Sequence, residues 1–120
     1  MFRKIRLLTF ALIMNTLPSL AQSGLVFDRP TWDFGTIRET DGPVTHRFVC
    51  RNEGEHPEVI LQVTTTCGCT TPRYTRKPIL PGEETEITVT YDPANRPGNF
   101  SRELAVFTAD RRIAAKLRIT

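Results

Sequence analysis

Apolar and polar residues trade places at every second position through much of this chain. In the run 44–51, Val44, His46, Phe48 and Cys50 share one side while Thr45, Arg47 and Arg51 take the other, with Val49 the exception on the polar side. Val59, Leu61 and Val63 alternate with Glu58, Ile60 and Gln62, and Thr85, Ile87, Val89 and Tyr91 alternate with Glu84, Glu86, Thr88 and Thr90. Ile113, Ala115, Leu117 and Ile119 oppose Arg112, Ala114, Lys116 and Arg118; further short runs cover 25–28, 32–37 and 100–108. A period of two is the mark of a strand with one buried and one wet face.

Turn residues punctuate these runs: Asp41-Gly42-Pro43, Asn52-Glu53-Gly54, Pro81-Gly82, Asp92-Pro93 and Asn95-Arg96-Pro97-Gly98-Asn99. The prolines hold neighbouring backbone out of helices, and Pro81-Gly82 suits a type II turn. No stretch beyond the N-terminus sustains a helical apolar stripe. About seven short antiparallel strands in about 100 residues predict an all-β, immunoglobulin-like β-sandwich, one domain over 22–120. Trp32 precedes every cysteine, so the Cys…Trp…Cys spacing of antibody domains is absent. Trp32 and Phe34 share a face and are expected in the core.

The N-terminus breaks the pattern. A basic opening, Met1-Phe2-Arg3-Lys4-Ile5-Arg6, leads into an apolar run ending near Leu17, then Pro18 and Ser19-Leu20-Ala21. That order is a secretory signal peptide, residues 1–21, with cleavage expected after Ala21. The apolar run falls short of the roughly 20 residues that span a bilayer. No transmembrane segment is therefore expected in the mature chain.

Cleavage changes the charge. Three of the 16 Lys and Arg residues (Arg3, Lys4 and Arg6) lie in the signal, whereas all 13 Asp and Glu lie beyond it. The mature chain is formally neutral, with no basic excess to grip phosphates, so nucleic-acid binding is disfavoured. Its expected place is the periplasm or cell surface of a Gram-negative bacterium.

Three cysteines are too few for a disulfide-built scaffold. Cys67 and Cys69 flank Gly68 ahead of Thr70. In an extended strand their Cα atoms would stand about 6.6 Å apart, at the limit for a disulfide, and a bend at Gly68 would bring them into range. A bridge across so small a loop would be strained and easily reduced, which opens a redox reading, with Arg73 and Arg76 near in sequence to favour a thiolate. A second reading is soft metal, Cu(I) or Zn, held by the pair with Cys50, His46 or His56. A third is structural. A Cys67–Cys69 loop contributes only about 1.6 kcal/mol in the chain-entropy picture, while a Cys50-to-Cys67 loop would contribute about 3.2 kcal/mol.

His46 and Cys50 belong to a strand face with Phe48 and read as core, His56 as exposed beside Pro57, and Arg111-Arg112 as a hairpin tip. The chain breaks at Gly68, with Pro72 following, so Cys67 and Cys69 are expected to open toward solvent while Cys50 stays buried. There is no serine–histidine–acid set, P-loop or glycine-rich dinucleotide turn, and no cofactor is expected.

Phe34-Gly35-Thr36-Ile37, Phe48…Asn52-Glu53-Gly54, Pro57…Ile60, Cys67-Gly68-Cys69-Thr70 and Ile79-Leu80-Pro81-Gly82-Glu83 together resemble an exported bacterial family catalogued as domain of unknown function 1573. The match runs from about Phe27 to the C-terminus. Cys50 departs from it, standing where the family usually carries an apolar residue. The family in turn resembles the immunoglobulin-like domains of the major sperm protein and hydin type. That implies a binding or scaffold module of the cell envelope with a protein partner, and no established reaction. The chain ends within an alternating run, which reads as a short member or a fragment, and that last run is expected to offer an open edge to a partner strand.

Overall fold

The computed structural model describes residues 24–110 and 112–120. The signal-peptide expectation over 1–21, and Arg111, lie outside them. The described chain forms eight strands: β1 (Leu25–Phe27), β2 (Thr31–Trp32), β3 (Val44–Asn52), β4 (Ile60–Thr65), β5 (Thr70–Arg73), β6 (Glu84–Tyr91), β7 (Arg102–Thr108) and β8 (Ile113–Ile119). A single 3-10 turn occupies Glu39–Asp41.

The strands pack as two four-stranded sheets, ordered β1-β3-β6-β5 and β2-β8-β7-β4. This is the strand order of immunoglobulin-type sandwiches, with the first strand divided between the sheets. Neighbours run antiparallel except β2, which lies parallel to β8 through Thr31–Arg118 and Trp32–Ile119. β8 is therefore flanked by β7 on one side and by β2 at its C-terminal end. Its C-terminal end is not the open edge that its clean alternation suggested, because the chain returns its first segment against Arg118 and Ile119.

The inward faces hold the core that period two requires. Phe48, Ile87, Val89 and Tyr91 from the first sheet meet Leu104, Val106, Leu117 and Ile119 from the second, all at most 1% exposed. Outward, Arg51–Glu84 at 2.8 Å, Arg47–Glu86 at 3.8 Å and Thr45–Thr90 at 3.1 Å pair across β3 and β6. Such exposed pairs contribute little each and mainly keep the face wet. Val49 stands among them, exposed, as its place on the polar side implied.

In β8 the alternation fails at its start, where Ile113 is 50% exposed beyond a register shift against Val106 and Phe107, and two further elements depart from the sequence pattern. Ile60 is 1% exposed and Leu61 43%, the reverse of the alternation read from Val59, Leu61 and Val63. A register shift between Ile60 and Gln62 inserts one extra residue, so Ile60 and Val63 both face inward. Ile60→Ala should accordingly cost about 2–4 kcal/mol and Leu61→Ala within about 0.5. Urea unfolding of the two variants checks this, and equal losses would mean that the bulge is misplaced. The second departure is β5, where Pro72 sits inside a strand. Pro72 is tolerated because β5 is an edge, paired only to β6.

At one end of the sandwich the side chain of Asn52, fully buried, ties three segments together. Its Nδ2 donates to the carbonyls of His56 and Ile79, both at 2.8 Å, and its Oδ1 accepts from Gly54 N at 2.9 Å. Its backbone carbonyl accepts from Gly82 N at 2.7 Å, within the Leu80-Pro81-Gly82-Glu83 turn. That turn is closed by Glu83 N donating to Leu80 O at 2.9 Å, and Gly82 at φ 87° is the type II position. Gly24 closes the cluster: a Cβ there would stand 2.5 Å from Asn52 Oδ1 and 2.7 Å from Gly54 N.

Candidate functional site

The other end carries the cysteines. β4 stops at Thr65, and the chain crosses from one sheet to the other through Thr66 to Cys69. The Cys67 carbonyl accepts from the Thr65 hydroxyl at 2.9 Å and from Thr70 N at 3.2 Å, which fixes the turn. Within it Cys67 and Cys69 are joined by a disulfide, with their Cα atoms 5.2 Å apart. The turn contracts the pair from the extended spacing into bonding range. Gly68 is exposed, with open space where a Cβ would sit and no left-handed φ, so the bend does not depend on glycine there.

The chain does break at Gly68, but the two cysteines do not both open outward. Cys67 is half-buried, whereas Cys69 is 7% and Thr70 4% exposed. The turn feeds β5, whose register pairs Thr70 with Tyr91 and so points Thr70 inward. Asp92 N donates to the Cys69 carbonyl at 2.9 Å, extending the ladder by one residue and drawing Cys69 under the sheet.

The cation at the sulfur is neither Arg73 nor Arg76. Arg73 is exposed at the end of β5, and the Arg76 guanidinium lies 5.5 Å over the Tyr74 ring. Arg102, first residue of β7, donates through Nε to Cys69 Sγ at 3.5 Å. It shares parity with the buried Leu104, Val106 and Thr108, so its side chain leaves the strand on the inward side. One further donor, Nη1, reaches Ser101 O at 3.0 Å, and the guanidinium lies 5.8 Å from the centre of the Tyr91 ring. Tyr91 stacks on Phe100 at 4.2 Å. Its hydroxyl is buried with no hydrogen-bond partner among the described residues, a cost of about 1–3 kcal/mol. Beyond this stack opens a cleft of about 670 Å³, lined among others by Asp33, Ile37, Glu39, Arg96 and Asn99. None of Arg102, Tyr91 and Phe100 was singled out from the sequence as a site residue; an arginine at an inward strand position was the available signal.

Cys50 stays apart. It is 1% exposed and unpaired, opposite Phe27 and Thr85. It stands about 20 Å along β3 from Val44, the residue paired with Tyr91 near the disulfide. The Cys50-to-Cys67 staple is therefore out of reach. Burial pushes the Cys50 thiol up to about 11. An unfolded thiol ionises near 8.5, roughly, so stability is fully present below that pH and is lost as pH rises toward the folded value. Unfolding midpoints should fall between about pH 9 and 11, and Cys50→Val should flatten that fall. Without reductant, alkylation should label no thiol in the native protein and one in denaturant.

The metal reading finds no cluster: among the described residues no three His, Cys, Asp or Glu side chains converge. His46 stacks on Trp32 at 4.1 Å and meets Phe48 edge-on at 4.7 Å, and burial lowers its pKa. It is part of an aromatic group at the rim of the core, with Trp32 and Phe34 partly buried beside it. His56 is exposed and contributes only its carbonyl to Asn52.

Fold and site define a small two-sheet sandwich whose sheet-to-sheet turn is closed by a Cys-Gly-Cys disulfide. The chain belongs to the family described as protein of unknown function (DUF1573), whose model matches residues 25–120. Among solved structures it is similar to a protein of unknown function from Porphyromonas gingivalis W83, with TM-score 0.69 and 18% identity over 86% of this chain and 48% of that one. It is also similar to the Vibrio cholerae VesB protease (TM-score 0.59, 19% identity, 80% of this chain and 31% of that one). A third likeness is to the secreted serine protease VesC from Vibrio cholerae (0.60, 15%, 82% and 22%). The chain spans about half the length of the first of these and less of the others. At these identities the likeness shows the fold alone. No curated protein matches significantly. Among the described residues no helix is long and apolar enough to cross a membrane.

Proposed function

We propose that this chain is an exported, non-enzymatic binding module of the bacterial envelope, at the periplasm or cell surface, that takes an extended segment of a protein partner along the free edge of β4. The observation that carries the reading is the contrast among the four sheet edges. β1 and β2 are three and two residues long, and β5 contains Pro72. These are the usual ways of blunting an edge. β4 is six residues, Ile60-Leu61-Gln62-Val63-Thr64-Thr65, without proline or charge, and pairs only with β7; its bulge lies at Ile60–Gln62, which leaves Gln62 to Thr65 as regular edge. Main-chain groups on such an edge pair with an added strand, and exposed side chains beside it, here Leu61, supply selectivity. Export rests on the basic start and short apolar run of residues 1–21.

A photo-crosslinking side chain at Gln62, in the envelope of an exporting host, should give an adduct of one defined mass. The same probe at Glu86, on the charged outer face, should not. No adduct at Gln62, or the same adduct at both positions, would remove the edge as the binding surface.

A further inference from the structure

The disulfide is unequal at its two ends. Cys69 is nearly closed off, receives the Arg102 Nε–H at 3.5 Å, and has the Thr70 hydroxyl at 3.6 Å from its sulfur. Cys67 is half-buried beside the exposed Gly68, and its sulfur receives a neutral donor, Cys69 N at 3.1 Å. Among the described residues no carboxylate forms an ion pair with Arg102, unlike Arg47, Arg51, Arg112 and Arg118. An inward guanidinium without a counter-charge, aimed at one sulfur of a disulfide, suits a thiolate there better than a neutral sulfur. Charge-assisted hydrogen bonds are about twice as strong as neutral ones.

We propose that Cys67–Cys69 is a polarised thiol–disulfide exchange site that oxidises dithiols, with Cys67 the sulfur attacked and Cys69 the sulfur that leaves, held by Arg102 and Thr70. The substrate class is a protein or small-molecule dithiol. One substrate thiol ionises, losing its proton to solvent, and its thiolate attacks Cys67 Sγ. A substrate–Cys67 bond forms as the Cys67–Cys69 bond breaks, and the electron pair departs on Cys69 Sγ. The second substrate thiolate then attacks its own partner sulfur in the mixed disulfide and expels Cys67. The substrate has lost two electrons and become a disulfide, while the protein pair has gained them. Cys67 takes a proton from solvent, and Cys69 remains a thiolate facing Arg102. Stabilising the reduced form in this way makes a disulfide a stronger oxidant. The exchange is stoichiometric, one substrate dithiol per protein disulfide and without turnover, and it is separate from strand binding at β4.

The test uses the oxidised full chain and glutathione. After a brief reaction and an acid quench, fragmentation across Gly68 locates the mixed disulfide. Glutathione should be found on Cys67 in about tenfold excess over Cys69, because attack follows access and the better leaving sulfur. At equilibrium with glutathione, Arg102→Gln should lower the constant for reduction of the pair about tenfold, equivalent to about 30 mV for two electrons. Arg102→Lys, which keeps the cation, should recover most of it, and Arg118→Gln should leave it unchanged. Glutathione found mainly on Cys69 would overturn the proposal, as would an Arg102→Gln constant within about twofold of the parent. If Arg102→Gln fails to fold, the location of the adduct in the parent chain and the Arg102→Lys constant still decide.

Discussion

Asn52→Ala should remove about 3–5 kcal/mol of stability, although Asn52 is neither a core hydrocarbon nor a candidate site residue. The substitution deletes two donors and one acceptor at once. It leaves the carbonyl of His56 and the amide of Gly54 without their partner, and takes from the Ile79 carbonyl, in the core, one of its two donors, the other being Glu58 N at 3.0 Å. A buried group stripped of its hydrogen bond costs about 1–3 kcal/mol, and partial hydration of the outer two keeps the sum below the maximum. Domains of this size are stable by only about 5–15 kcal/mol, so much of the folded population is at stake. Asn52→Asp discriminates further. It retains an acceptor for Gly54 but sets a carboxylate against two carbonyls, and it should be at least as damaging as alanine. Urea titrations with an unchanged slope and a lower midpoint are the measurement. A loss below about 1 kcal/mol for alanine would show that water replaces the side chain without penalty.

Phe48→Ala should cost about 3–5 kcal/mol by a different route. Phe48 is 1% exposed at the middle of β3, opposite Ile87, with the edge of His46 against its ring. Truncation loses the transfer free energy of the ring and leaves a cavity between two sheets whose ladders resist collapse. Val89→Ala, at a similarly buried place on β6, removes only two methyl groups and should cost less. The same unfolding titration reads both. A loss below about 1 kcal/mol for Phe48→Ala would mean that the inward face of β3 is wrong, because a one-residue slip exchanges the faces of the whole strand.

Much of this architecture is legible from residue order alone, and for a local reason. Side chains on a strand alternate strictly, so β3, β6 and β8 announce their buried faces through Phe48, Ile87 and Leu117 without reference to any partner. Turns are local too: Pro81 presets one dihedral and Gly82 accepts the positive φ that a type II turn needs, wherever the turn is placed. The bend that brings Cys67 within reach of Cys69 is local as well, held by Thr65 and Thr70 on the Cys67 carbonyl, although it does not use the freedom of the glycine that suggested it.

Other features needed the tertiary structure because they depend on what lies opposite. The bulge after Ile60 exists only in register with β7, and it moved Leu61 out of the core that its alternation had promised. β5 is four residues with a proline, too short and too irregular to read as a strand, and it persists because β6 supplies its ladder on one side. β8 looks like a terminal edge until β2, more than 80 residues earlier, is found against Arg118 and Ile119. The sulfur site divides in the same way. Residue order places two cysteines two apart and suggests nearby Arg73 and Arg76. It cannot show that Arg102, 33 residues away, reaches Cys69 across the end of the sandwich. Strand spacing and turn chemistry act over a few residues and are written in the chain. Which charge meets which sulfur is decided when two sheets close on each other.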